Sequence, residues 1–282
     1  MTTRRIYATV GDLQAAVAKF QRTWWRLDAD AAQRVALQPG LEVVLESASL
    51  VTTSQVYRDP DGEWCSARSS LHDHLVATLA GSGAPETKPR AYFTIGCIGV
   101  GKGRVLRPLV ARHRSANGRS STSLARVAAD EIREAMPEYE GGLGSFVVQP
   151  EIFDITYAPL FTAALESGRD IVYDTIGRVD SVTGRVSFEP QLLELRDAGY
   201  EVHVVLGTAP LDLCIARAEQ RALNENGRLV DMDTQVDVFH QPPKALRRLR
   251  DLGLAHEWVV VDTSKSPDDP PIFDSSAGWA RS

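Results

Sequence analysis

Residues 91–103 read Ala-Tyr-Phe-Thr-Ile-Gly-Cys-Ile-Gly-Val-Gly-Lys-Gly, and the fold turns on this stretch. Ala91–Ile95 is a short, β-prone apolar run that stops at Gly96. Gly96 to Lys102 then has the GxxxxGK spacing of a phosphate-binding loop, placed after a strand and ahead of a helix, the context that gives the spacing meaning. Glycines let the backbone wrap closely around an anion with consecutive N–H groups pointing inward. The N-terminus of the following helix adds positive potential, and Lys102 brings a point charge to the β- and γ-phosphates. Gly96, Cys97, Ile98, Gly99, Val100, Gly101, Lys102, Gly103 and Arg104 are therefore the expected nucleotide-binding residues. The usual loop has Ser or Thr after the lysine, whose hydroxyl ligates Mg²⁺. Here Gly103 takes that place and Arg104 follows, so Mg²⁺ is expected to be held through water. Cys97 reads as a small buried residue, since no base is visible near it, and Pro108 is expected to kink the helix.

Downstream, Leu124–Ala128, Ile171–Tyr173, Val202–Leu206 and Trp258–Val261 are further strand candidates. Helical patterns cover residues 102–113, 131–136, 153–167, 190–198 and 211–223. Alternation of this kind predicts an α/β fold: a P-loop NTPase/kinase-like parallel sheet flanked by helices, with ligands at the carboxyl ends of its strands. Upstream, Leu13, Val17, Phe20 and Trp24 recur at spacings of four and three within a helix expected over residues 8–35, ended by Pro39-Gly40. Trp24 and Trp25 read as packing residues. A second helix is expected over 66–79, then a linker rich in Gly, Pro and polar residues over 81–89. The chain divides on this reading into an N-terminal helical extension and linker (1–88), a P-loop kinase domain (89–263) and an extended tail (264–282) carrying Pro267, Pro270 and Pro271.

Composition narrows the classes. Of 282 residues, 31 are basic and 37 acidic, a net charge of −6, so nothing argues for nucleic acid as partner. No apolar run approaches the roughly 18 residues of a membrane span, and since Met1–Val17 has two arginines but no compact apolar core followed by a cleavage site, a secretory signal is not expected. Three cysteines without CxxC spacing suggest neither a disulfide framework nor a zinc site. A cytoplasmic location is the expectation.

Phosphoryl transfer needs a carboxylate to take the acceptor's proton and cations to offset charge on the moving group. Asp130, just after the second strand, is the candidate base; helix N-capping is its alternative role. Asp174 and Thr175 end the strand at 171–173, where the carboxylate suits Mg²⁺ held through water or orientation of the acceptor. Arg178 follows closely and suits an anionic acceptor. Arg217, Arg221 and Arg228 form a candidate arginine lid, since the planar guanidinium binds phosphate oxygens bidentately.

Arg68…Leu71-His72, the Gly96–Gly103 loop, Asp130-Glu-Ile-Arg-Glu-Ala-Met-Pro-Glu-Tyr139, Ile171–Thr175 and Arg217…Arg221…Gly227-Arg228 together resemble the zeta-toxin family of P-loop kinases, from about Tyr57 to Asp262. The resemblance implies phosphorylation of the 3′-hydroxyl of UDP-N-acetylglucosamine or a related sugar nucleotide, with ATP and Mg²⁺, and in some members neutralisation by a small helical antitoxin. It casts Lys102, Asp130, Arg217, Arg221 and Arg228 as catalytic and Asp130, Arg133, Asp174, Thr175 and Arg178 as substrate-binding. Two departures stand out. The family's first aspartate of an Asp-x-Asp pair is Ala128 here, and the acidic residue expected early in the helix before Ile171 is not evident near Tyr157 and Ala158. The segment Asp130…Glu134-Ala-Met-Pro137 is also similar to chloramphenicol phosphotransferase, which opens an antibiotic acceptor as an alternative. Gly103 and Ala128 together leave open a nucleotide-binding module without turnover. The apolar N-terminal helix suggests core packing, a partner dock or an in-cis inhibitor.

Overall fold

The computed structural model describes residues 7–120, 124–226, 228–265 and 272–275. Two compact units emerge: one comprises Met1–Ala77, Ala129–Pro159 and Glu219–Leu229, the other Thr78–Ala128, Leu160–Ala218 and Val230–Ser282. The second of these spans both 88/89 and 263/264, and each unit gathers pieces distant in sequence.

The sheet unit contains β1 (Arg90–Ile95), β2 (Leu124–Ala128), β3 (Asp170–Thr175), β4 (Glu201–Thr208), β5 (Glu257–Asp262) and β6 (Phe273–Asp274) in the spatial order β2-β3-β1-β4-β5-β6. The first five are parallel, and β6 lies antiparallel on β5. β1 is therefore flanked on both sides, and its burial from Ala91 onward explains why it reads as a continuous apolar run rather than an alternation. Each predicted strand is present: β2 at the expected bounds, the other four extended by one to three residues. Of the expected extended tail, Phe273 and Asp274 instead form β6; residues 266–271 and 276–282 lie outside the described set.

The helices, numbered in chain order, are α1 (Val10–Leu27), α2 (Ala29–Ala36), α3 (Leu41–Ser47), α4 (Thr53–Tyr57), α5 (Ser66–Ala80), α6 (Arg107–Ala116), α7 (Ala129–Ala135), α8 (Gln149–Ile155), α9 (Phe161–Glu166), α10 (Glu189–Asp197), α11 (Leu211–Arg221), α12 (Met232–Phe239) and α13 (Gln241–Asp251). The single helix expected over 8–35 is two. Asp28 separates them, its carboxylate accepting the Ala31 N–H at 2.9 Å as the N-cap of α2. Pro108 does not kink a helix interior. It stands at the first turn of α6, where a missing N–H is tolerated, and the preceding turn Lys102–Leu106 is π-helical. The helix expected over 153–167 starts earlier and is likewise interrupted by a π turn, Thr156–Leu160, around Pro159. Helices α3, α4, α12 and α13 were not expected. In α13 the dipeptide Pro242-Pro243 looks like a breaker yet occupies the helix start, and Ala245, Leu246 and Leu249 form its buried face.

The other unit has a core of Leu13, Phe20, Trp24, Trp25, Ala31, Val35, Leu45, Val51, Val56 and Tyr57 packed with Leu143, Val147 and Ala222. Trp24 also donates its indole N–H to the Val51 carbonyl at 3.0 Å. The apolar stripe of α1 is thus buried within its own unit. The fit is close at Gly144, where an added Cβ would lie 1.7 Å from the Glu138 carbonyl oxygen and 3.0 Å from Phe20.

Candidate functional site

In the sheet unit, the loop after β1 has a defined internal structure. Lys102 Nζ folds back to donate to the carbonyl oxygens of Gly96 at 2.8 Å and Cys97 at 3.4 Å. Gly99 and Gly101 have φ of +77° and +97°, the left-handed region that favours glycine. At Gly99 the reason is doubled, since a Cβ would sit 2.0 Å from the Cys214 carbonyl oxygen of α11. The Cys97 and Cys214 sulfurs are 3.5 Å apart and buried. The Cys214 thiol is pushed up by that contact and by burial, and Cys97 serves as packing. One turn along α11, Arg217 donates to the Thr263 carbonyl at 2.8 Å, and the Thr263 hydroxyl donates to the Val100 carbonyl. Arg217 therefore belongs to the loop's immediate surroundings. Gly103 and Arg104 are exposed, and a Cβ at Gly103 would meet nothing within 4 Å.

At the carboxyl end of β3, Asp174 lies in register with Thr94 of β1 and accepts from its hydroxyl. It also accepts from Arg107 Nε at 2.6 Å. Thr175, its neighbour, pairs in register with Ile95. Arg178 donates to Asp237 at 3.2 Å on the surface.

The second unit assembles a separate cluster of titratable groups. Asp130 lies in the first turn of α7, inside the helix rather than capping it. Its carboxylate accepts from Arg133, one turn on, and from Arg228 at 2.6 Å. Arg133 is buried and also donates to Gln149 at 2.6 Å. Burial first, then the charge of Arg228, pulls the Arg133 guanidinium below its ordinary range. Asp130, Arg133, Glu134, Tyr139, Arg221 and Arg228 line a small cleft. Burial pushes the Tyr139 hydroxyl up to about 12, so at neutral pH it remains a hydrogen-bond donor. Four of the residues predicted from sequence, Asp130, Arg133, Arg221 and Arg228, are therefore brought together, while Arg217 stands with the loop.

Sequence reasoning marked Arg68 and His72 but not the partners that make them the polar centre of this unit. Arg68 lies between two buried carboxylates, bonding Glu151 at 2.5 and 2.9 Å and Glu138 at 2.9 and 2.7 Å. His72, one turn along α5, reaches Glu151 at 2.5 Å, and the Arg68 guanidinium lies over the Tyr57 ring. Burial alone would raise the Glu151 carboxyl, yet His72 and Arg68 hold it below its ordinary value. Glu151 stands in the first turn of α8, where it is fully buried. The signal available was Pro150-Glu151, a proline and an acid suited to a helix's first turn.

The model of the zeta toxin family matches residues 76–268, about two thirds of the chain. The chain belongs to the zeta-toxin family. This family member is a phosphotransferase, and its fold recurs in solved structures. A complex of AvrRxo1-ORF1 and AvrRxo1-ORF2 with ATP is similar at 14% identity and a TM-score of 0.57, covering 79% of this chain and 75% of that chain. The same pair with sulphate ions gives 16% identity and a TM-score of 0.56 at the same coverage. A structure from the PezAT chromosomal toxin-antitoxin system of Streptococcus pneumoniae is 18% identical over 76% of this chain and 82% of that chain, with a TM-score of 0.49. At these identities the two AvrRxo1 complexes speak to fold alone. No curated protein matches the sequence. No helix among the described residues is long and apolar enough to cross a membrane.

Proposed function

We propose that this zeta-toxin-family protein is an ATP-dependent kinase that transfers the γ-phosphoryl group to a hydroxyl of a sugar nucleotide, such as UDP-N-acetylglucosamine or a related acceptor. The observation that carries the reading is the loop itself. Gly96–Arg104 follows the central strand, has its two left-handed glycines, and holds Lys102 inside the backbone curl where phosphate oxygens can replace the Gly96 and Cys97 carbonyls as its partners.

The remaining roles follow from residue chemistry. Asp130 accepts the acceptor hydroxyl's proton. In the structure it carries two guanidinium groups, so Arg228 exchanges this carboxylate for phosphoryl oxygens when substrate binds, which releases Asp130 to act as base. Arg221 and Arg217 add positive charge for the transferring group, while Arg133, Thr175 and Arg178 contribute to acceptor binding. Such catalysis rests on positioning and electrostatics, with little covalent work by the protein. Asp174 and Thr94 offer oxygen donors suited to a hydrated Mg²⁺, which when bound neutralises charge on the β- and γ-phosphates. For that, Asp174 gives up its bond from Arg107. A small helical antitoxin is the partner this reading implies. With the apolar residues of α1 buried inside their own unit, core packing is the role we assign to those helices in place of in-cis inhibition.

The test is mass spectrometry of the protein with ATP, Mg²⁺ and a panel of sugar nucleotides, dinucleotides and hydroxyl-bearing antibiotics, with Lys102→Ala and Asp130→Asn alongside. A sugar nucleotide heavier by one phosphoryl group, absent with both variants, supports the reading. Product only on an antibiotic makes the protein a resistance phosphotransferase. Nucleotide binding lost in Lys102→Ala, with no product from any acceptor, makes it a binding module.

A further inference from the structure

The face of the sheet covered by α6 is apolar: Val172, Val205, Val259 and Val261 meet Val105, Leu106, Leu109 and Val110. Into this layer the fold also inserts three metal-ligating side chains. His203 of β4 is in register with Tyr92 of β1 on one side and Glu257 of β5 on the other, so the three side chains form a row on one face. His113 comes down from α6, three and four residues beyond Val110 and Leu109. His113 and His203 are only 4% and 2% exposed, and the Glu257 side chain is 31% exposed.

We propose that His113, His203 and Glu257 form a binding site for a divalent transition metal, zinc being the best match. Their ligand atoms lie within 4.8 Å of one another. His203 Nδ1 is 3.0 Å and His113 Nε2 is 3.9 Å from the same Glu257 oxygen, Oε2. Around a tetrahedral ion with bonds of about 2.0–2.1 Å, neighbouring donors stand roughly 3.3 Å apart, a value these two distances bracket. Two imidazoles and one carboxylate are a donor set that zinc accepts, with water in the fourth position. Orientation supports the assignment. His113 turns Nε2 to Glu257 and leaves Nδ1 at 3.5 Å from the Tyr92 hydroxyl, the arrangement by which an outer partner fixes a ligating imidazole's tautomer. Tyr92 and His203 are also in ring contact, with centroids 5.1 Å apart. The neighbouring cation, Arg90, is engaged by Glu201 at 2.9 Å, and Asp274 of β6 adds negative charge acting on His113.

This site is distinct from the phosphate loop. Tyr92 precedes Gly96 by four residues, about 13 Å at roughly 3.3 Å rise per residue, so the cluster lies toward the amino ends of parallel strands whose carboxyl ends carry the loop. It joins α6 to β4 and β5. Because α6 continues directly from the phosphate loop, a bound ion would brace the helix behind that loop, a structural and regulatory role rather than a catalytic one.

The experiment is titration of the full-length, chelator-treated protein with Co²⁺ and Zn²⁺, followed by visible absorption, metal analysis after dialysis and thermal melts, without nucleotide. One equivalent of Co²⁺ with the intense visible bands of tetrahedral coordination, displaced by Zn²⁺, is expected, together with a melting temperature that rises with metal concentration by mass action. His203→Gln removes binding. Glu257→Gln, at a partly exposed position chosen to preserve folding, weakens it at least tenfold, and Tyr92→Phe weakens it about 10- to 100-fold. His74→Gln, on an exposed stretch of α5, leaves it unchanged. Absence of saturable binding to the native protein overturns the proposal, as does undiminished binding in both Glu257→Gln and His203→Gln.

Discussion

Replacing Gly99 by alanine tests how the phosphate loop is held. At φ +77° an L-residue costs about 1–2 kcal/mol. The added Cβ would lie 2.0 Å from the Cys214 carbonyl oxygen and 2.9 Å from its carbon. Relief to ordinary contact requires the loop and α11 to part by about 1.4 Å, and overpacking of this kind costs a further ~1–3 kcal/mol. The sum is a loss of about 2–5 kcal/mol. The displacement also has a functional route, because Cys214 touches Cys97, and Arg217, one turn on, holds Thr263, which in turn bonds Val100 in the loop. Gly103→Ala is the internal control: it has no positive φ and no atom within 4 Å of its Cβ, so its stability should stay within ~0.5 kcal/mol of native or rise slightly through helix propensity. Urea unfolding gives the energies, and calorimetric titration with a non-hydrolysable ATP analogue gives the affinity. We expect Gly99→Ala to unfold at clearly lower urea and lose at least tenfold in affinity while Gly103→Ala does neither. Equal stability and equal affinity in the two variants would refute the argument that contact with α11 shapes the loop.

Other perturbations have equally definite outcomes. Gly103→Thr places a hydroxyl after Lys102 in open space, so tighter Mg²⁺-dependent nucleotide binding is expected; an unchanged Mg²⁺ requirement in a titration would contradict the water-mediated role given to this position. Glu151→Gln leaves Arg68 short of a buried partner and should cost about 3–5 kcal/mol near neutral pH, read by chemical denaturation. The Glu151 carboxyl titrates below its ordinary value of 4.5 in the folded protein, so in acid the unfolded chain binds more protons. Its stabilisation is therefore fully present above about pH 4.5 and is lost as pH falls through the lower folded value, and the gap between native and variant should narrow over that range rather than on the alkaline side. Trp24→Ala removes a buried indole and its bond to Val51; a loss of about 3–5 kcal/mol is expected, and a change under 1 kcal/mol would show that α1 is peripheral.

Much was legible in the chain because it depends on local physics. A glycine loop between an apolar run and a helix has few structural meanings, and β1, β3 and β4 are short runs whose burial on both faces makes them continuous. Asp28, Pro108 and the Pro242-Pro243 pair were harder to read, since the same residue breaks a helix in its interior and begins one at its first turn. The clustering of Asp130 with Arg133, Arg221 and Arg228 was anticipated in its members though not in its pairing, because which arginine meets which carboxylate depends on side chains 98 residues apart. Arg68 was visible, whereas its partners Glu138 and Glu151, at separations of 70 and 83 residues, were not.

By itself the sequence determined the α/β class, the strand that leads into the glycine-rich loop and the family resemblance. Those follow from period, spacing and glycine content, which act over a few residues. Tertiary structure alone decided that residues 129–159 and 219–229 join the N-terminal helices in one compact unit, that Asp174 is paired with Arg107, and that His113, His203 and Glu257 converge. Those are consequences of strand order and helix packing, which set side chains from remote segments face to face and leave no periodic trace in the chain.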